Sequence, residues 1–122
     1  MATPDELAHW YADAWNETDP AKRRALLEAA CSPGIRFLQE GFEYEVVGID
    51  ALDRTIAEYQ ATWPDGIEGR VEITTPIQSH HGIGRGGFAW IVGDERTYGT
   101  DFAEIGDDGR MQMIAVFIDA PT

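Results

Sequence analysis

The apolar residues of this chain change their repeat near Arg70, and that change restricts the possible folds more than any other feature. Before it they recur every three or four residues; after it they alternate with polar ones. In the first part, Thr3 can cap a helix, Pro4 suits its first position, and Asp5 and Glu6 favour its positive end. Leu7, Trp10 or Tyr11, Ala14 and Trp15 then make one broad apolar face, which Asn16 to Asp19 break. Asp19-Pro20 starts a second helix, with Ala25, Leu26, Ala29 and Ala30 inward and Lys22, Arg23 and Arg24 largely outward. Ser32-Pro33-Gly34 ends it. Ile35 to Gln39 and Phe42 to Val47 are short strand candidates. Asp50 caps a third helix whose stripe is Leu52, Ile56, Tyr59 and Trp63, and Trp63-Pro64-Asp65-Gly66 closes it.

Beyond Arg70, Val71 to His81, Phe88 to Val92, Thr97 to Ile105 and Met111 to Ile118 read as four strands. Gly82 to Gly87, Gly93-Asp94-Glu95 and Gly106 to Gly109 separate them, as antiparallel hairpins require. Helices first and a meander later give an α+β class, with helices on one face of a strongly curved sheet. A chain of 122 residues without repeats or internal linker is expected to form one domain over 1–122.

Charge narrows the partners. Asp and Glu number 22 against 9 Lys and Arg, a net charge of -13. Such a surface repels phosphate backbones and anionic lipid, so neither nucleic acid nor membrane is expected as a partner. The acids are scattered, which fits a solvated, self-repelling surface. The start, MATPDELAHW, is acidic and polar, unlike a signal peptide, and no apolar run approaches a membrane span. A cytoplasmic protein is the expectation. The one cysteine, Cys31, cannot form an internal disulfide and reads as a buried small hydrophobe.

Two residues suggest chemistry. Tyr11 lies on the first amphipathic helix, and Asp101 is mid-strand, an awkward place for a carboxylate unless something uses it. A phenol and an acid facing one apolar cavity would offer two hydrogen-bond donors to a carbonyl or enolate oxygen. The bland alternatives are a local hydrogen bond for Tyr11 and a buried ion pair of Asp101 with Arg36 or Arg85. Trp15, Trp63, Phe88, Trp90 and Phe117 could supply the apolar surround that keeps such an acid protonated. Ile56 and Tyr59 would join them from the third helix, while Trp10 reads as core.

Other motifs lead nowhere or stay open. His80 and His81 are consecutive in a strand and should point to opposite faces, so they make a poor metal pair. One of them, with His81 the candidate, would face the cavity as a possible base. Gly82-Ile83-Gly84-Arg85-Gly86-Gly87 satisfies G-x-G-x-x-G, but a strand follows where a dinucleotide site needs a helix. No cofactor and no metal are expected.

The segments YADAWNETDPAKRRALLE, SPGIRFLQEG, VVGIDALDRTIAEY and GTDFAEIGDDGRMQMIAVFID, in that order, resemble the nuclear transport factor 2-like superfamily. The resemblance is to the branch of SnoaL-like polyketide cyclases and ketosteroid isomerases, and it spans nearly the whole chain. It implies a cone-shaped fold in which a mostly antiparallel, strongly curved sheet packs on three helices from the N-terminal half. It implies much less about activity, because the fold hosts isomerases, cyclases, dehydratases, epoxide hydrolases and non-catalytic binders. By position, Tyr11 matches the oxyanion-hole tyrosine of a ketosteroid isomerase, and Asp101 its second donor, an acid kept protonated. That enzyme is the standard instance of such an acid, so the mechanism is taken from it. Gln39 falls where that family has its general-base aspartate. Glutamine cannot accept and return a proton in the working pH range, which leaves it a hydrogen bond to a ligand carbonyl or a water. Strand alternation points the adjacent Glu40 the other way.

Three roles follow from the resemblance. The chain is an isomerase, cyclase or dehydratase acting on an apolar carbonyl compound through Tyr11, Asp101 and Gln39. Or it is a non-catalytic domain that binds an apolar small molecule or dimerises. Or it is an interaction module that pairs through the outer sheet face, which makes a homodimer the expected assembly.

Overall fold

Thr3 opens the first helix, α1 (Pro4–Asn16), with a reciprocal cap. Its hydroxyl accepts from Glu6 N at 3.2 Å while the Glu6 carboxylate accepts from Thr3 N at 3.1 Å. Asp19 opens α2 (Pro20–Ala30) in the same spirit, its carboxylate accepting from Lys22 N at 2.9 Å. The third helix, α3 (Ile49–Gln60), starts differently from the sequence expectation. Gly48, at φ 93°, is its cap residue and supplies no side chain; Asp50 lies inside the first turn and pairs with Arg24. The computed structural model describes residues 2–119.

The strands are β1 (Cys31–Gln39), β2 (Val46–Val47), β3 (Gly69–Ile73), β4 (Gln78–His80), β5 (Ile83–Val92), β6 (Glu95–Ile105) and β7 (Met111–Ile118). They form one sheet in the order β2-β1-β7-β6-β5-β3, with β4 also paired to β5. Only β1 with β7 is parallel. Register shifts between Cys31 and Arg36 and between Glu104 and Ile105 bend the sheet, as bulges do. The result is the expected α+β arrangement: three N-terminal-half helices on a strongly curved, open, mostly antiparallel sheet. Leu7, Leu27, Ile35, Phe37, Leu52, Ile56 and Ile114 are fully buried between them.

Several local expectations are corrected. The inward face of α2 is Arg23, Leu27 and Ala30, while Ala25 and Ala29 are exposed and Leu26 is half-buried. Arg23 turns in because its charge is met: Nε reaches Asp53 Oδ1 at 2.5 Å and Nη1 reaches Gln60 Oε1 at 3.1 Å. Ser32-Pro33-Gly34 does not terminate a helix but lies within β1, and of Phe42 to Val47 only Val46 and Val47 pair. Trp63 lies beyond the end of α3 and packs over Gly69, where no side chain would fit beneath it.

The largest revision concerns the glycine-rich run. Gly82 belongs to a turn, but Ile83 to Gly87 are the first half of β5 and not a hairpin loop. The predicted strand from Val71 to His81 is split in two along the same edge. Ile73 stands opposite Phe88 and Gln78 opposite Arg85, so four residues (74–77) face only two, Gly86 and Gly87. Backbone pairing continues through Thr74 N to Gly87 O at 2.9 Å, and the Thr75 hydroxyl accepts from Gly87 N at 2.8 Å. The surplus residues must loop out of the ladder.

Asn16 has a role that sequence patterning missed. Its side chain accepts from Val71 N at 2.7 Å and donates to Val71 O at 3.0 Å. It therefore completes the exposed edge of β3 as another strand would, and ties the end of α1 to the sheet. That clip holds α1 against the concave face.

Candidate functional site

Gly86, Asp101, Val116 and Gln39 stand opposite one another across β5, β6, β7 and β1. Opposed residues point to the same face, so Asp101 and Gln39 share the concave side of the sheet. Two strand spacings separate them, roughly 10 Å at the backbone. Tyr11 comes down onto this row from the buried face of α1, with its ring edge-on to Trp15 at 6.3 Å.

Between helix and sheet lie two small adjoining cavities of about 60 and about 20 Å³. Tyr11, Val71, Phe88 and Asp101 line both. The larger reaches toward Pro4, Ala8, Ile77 and Met111; the smaller is closed by Trp15, Phe37, Gln39 and Trp90. Their walls are overwhelmingly apolar. Burial pushes the Asp101 carboxyl up to about 7, because the charged form loses its water. The Tyr11 hydroxyl is held well above its usual range by burial first and by the nearby Asp101 charge second. Tyr11 is thus a donor at any working pH, and Asp101 carries its proton about half the time near neutrality.

Two further polar atoms in this wall lack partners among the described residues. Gln39 Oε1 and Trp90 Nε1 are buried without a hydrogen bond. Unmade hydrogen bonds of this kind cost about 1–3 kcal/mol each unless a ligand or a water supplies the partner. The alternative pairing of Asp101 with a cation does not form: Arg36 pairs with Glu45 at 2.9 Å, and Arg85 donates to Gln78 at 2.7 Å. Glu40 turns away from the cavity, its carboxylate accepting from Ile118 N at 2.9 Å.

Of the residues singled out by sequence, Tyr11, Asp101, Gln39, Trp15, Phe88 and Trp90 meet in one wall. The others are elsewhere. Ile56 is fully buried on the inner side of α3, Tyr59 packs behind Trp15 and Trp90 with ring centres 5.6 and 5.5 Å away, and Trp63 packs on Tyr59 at 5.9 Å. Phe117 is on the outer face, 52% exposed and edge-on to Phe102, because strand alternation turns it opposite to Val116. His81 sits in the exposed turn before β5. Its positive φ of 51° takes it out of strand geometry, so His80 and His81 do not diverge as expected; their Nδ1 atoms lie 2.9 Å apart. Among the described residues no group of three or more His, Cys, Asp or Glu side chains could hold a metal ion. Cys31 is fully buried, and burial pushes its thiol up to about 12, which makes it inert packing.

Sequence reasoning did not pick out Val71, Ile77, Met111 or Gly86. The first three looked like ordinary strand residues, and Gly86 was assigned to a loop. Only the strand register, which no periodicity reveals, puts a glycine beside Asp101.

Neither a protein-family model nor a curated protein matches this sequence. Solved structures do match. A candidate isomerase of the SnoaL-like family from Agrobacterium tumefaciens superimposes with a TM-score of 0.81 at 24% identity, over 93% of this chain and 95% of that one. An NTF2-like protein of unknown function from Exiguobacterium aligns with a TM-score of 0.70 at 21% identity, over 94% and 99%. A candidate ketosteroid isomerase from Kribbella flavida aligns with a TM-score of 0.72 at 18% identity, over 95% and 77%. The fold is NTF2-like. At these identities the likeness extends to the NTF2-like backbone, whose concave face holds the cavities described above. No helix among the described residues is long and apolar enough to cross a membrane.

Proposed function

We propose that this NTF2-like protein binds an apolar, carbonyl-bearing small molecule and stabilises negative charge developing on its oxygen. The observation that carries this reading is Asp101: an acid with no cationic partner among the described residues, set in an apolar cavity beside a buried tyrosine. Both groups can donate to one oxygen, and such donors stabilise an enolate far better in a dry site than in water. The unpartnered oxygen of Gln39 would accept from a ligand hydroxyl or fix a water, and Trp90 Nε1 would add a third donor. Isomerisation, aldol-type cyclisation and dehydration all pass through such an oxygen.

A second reading, a binder without turnover, has its own support. Position 39 offers an amide where proton shuttling needs a carboxylate, and the cavity wall holds no histidine. Phenol binding tests what the two readings share, and turnover of a simple β,γ-unsaturated ketone separates them. Tyr11→Phe and Asp101→Asn are each expected to weaken phenol binding by about tenfold or more at pH 6. Binding unchanged in both variants would remove the donor pair from the account.

We also propose that the outer sheet face pairs two copies of the chain. Tyr98, Phe102 and Phe117 are exposed there, and aromatic side chains of this kind are enriched at interfaces. Light scattering across a dilution series should give twice the monomer mass. Phe117→Glu should return it to the monomer, and a monomer at every concentration of the unaltered protein would end the idea.

A further inference from the structure

We infer that Ile77 sets the size limit of the cavity, and that the ligand is a single-ring carbonyl compound and not a fused polycycle. The inference rests on the binding reading above. It begins with the mismatch along the sheet edge, where residues 74–77 face only Gly86 and Gly87. A bulge re-aims side chains, and here the surplus turns Ile77 inward. A side chain on Gly86 would point to the concave face, beside Asp101 on the same row. It would meet Ile77 Cδ1 at 2.5 Å. The tip of Ile77 therefore fills the place that residue 86 leaves empty, next to the acid.

The segment carrying Ile77 is fixed rather than loose. Thr74 N and the Thr75 hydroxyl are both bonded to Gly87, three and two residues before Ile77. Ile77 lines the larger cavity together with Val71, Ile73, Phe88 and Asp101. The centre of a water molecule can range over about 60 Å³ of that space. That is small beside the apolar cavity of about 150 Å³ that takes a single benzene ring. A second fused ring finds no room there unless Ile77 moves aside.

The test uses phenol and 2-naphthol as one- and two-ring probes, titrated by calorimetry at pH 6 into the full chain and its variants. The larger probe would normally bind tighter, since it buries more apolar surface. The expectation here is the reverse: the unaltered protein prefers phenol by about tenfold or more, a difference typical of one surplus group in an apolar pocket. Ile77→Ala should reverse that preference, and Ile77→Phe should weaken phenol itself. Naphthol preferred by the unaltered protein, or a preference ratio that Ile77→Ala leaves within about threefold, would overturn the inference. Tyr11→Phe and Asp101→Asn separate the two levels. If they weaken phenol while Ile77→Ala leaves the ratio alone, only the size limit fails. If they change nothing, or phenol does not bind, the site itself fails and the size limit with it.

Discussion

Asp101→Asn is expected to stabilise the protein by up to about 4 kcal/mol at pH 8 and to leave it unchanged at pH 4. Burial holds the folded-state carboxyl at about 7, against about 3.9 in an unfolded chain. The folded state therefore binds the proton more tightly than the unfolded one. Below about pH 4 both states are protonated and the acid costs nothing. As pH rises from about 4 to 7 the unfolded state gains by ionising while the folded state cannot, and stability falls. Above about 7 the full penalty is present and stays constant. Asparagine has nearly the same shape and never ionises, so the difference between the two proteins isolates this one group. The scattered surface acids also titrate, but they are common to both and cancel. Thermal melts of the pair from pH 4 to 8 should diverge to roughly 15 °C at the alkaline end. Parallel curves would mean that the environment of Asp101 is wetter than its apolar neighbours imply. Stability and binding would thus be opposed at one residue, which is where a functional group most often shows itself.

Loss of Asp53 should have the next largest effect, in the opposite direction. Arg23 is 5% exposed, the one buried charged residue among those described, and Asp53 is its only counter-charge. Asp53→Ala leaves a buried guanidinium held by the Gln60 side chain at 3.1 Å and the Glu17 carbonyl at 3.3 Å. Breaking a pair from one side costs about 3 kcal/mol, somewhat below the fully buried case because Asp53 is itself partly wet. The melting midpoint should drop by roughly 10 °C. Removing both charges, as Arg23→Met with Asp53→Leu, should recover most of that loss, since the penalty belongs to the orphaned charge and not to the missing bond. Asp50→Ala, which breaks the solvent-exposed pair with Arg24, should leave the midpoint where it was. If the two alanine variants behave alike, the Arg23 network is ordinary surface chemistry.

These residues also show what the sequence could and could not disclose. The helix starts at Thr3 and Asp19 were readable because a cap depends on residues three positions apart. The meander was readable for the same reason: alternation and tight turns are local. Arg23 was misplaced because its inward turn depends on Asp53 and Gln60, thirty or more positions away. The glycine run was misread as a loop because glycine signals two things, a sharp turn or a close approach. Here Gly86 and Gly87 make room for Ile77, Thr74 and Thr75. In the site, Tyr11, Asp101 and Gln39 were picked out on residue type and resemblance, and four of the seven proposed apolar lining residues were not in the wall. Ile56 and Tyr59 followed helical periodicity into or against the core, which hydrophobicity alone cannot distinguish from a pocket, and Trp63, past the helix end, packs on Tyr59. Phe117 was lost to a single step of strand alternation.

That single step has a wider meaning. The row that carries Gln39, Val116, Asp101 and Gly86 is graduated like a ruler whose marks are whole strands. A group can be moved along it by one mark, or along a strand by two residues, but any half-measure delivers it to the outer face. Within this chain an acid could therefore be transferred from 101 to 116 or 39 and still face the cavity, whereas a shift of one residue could not keep it there.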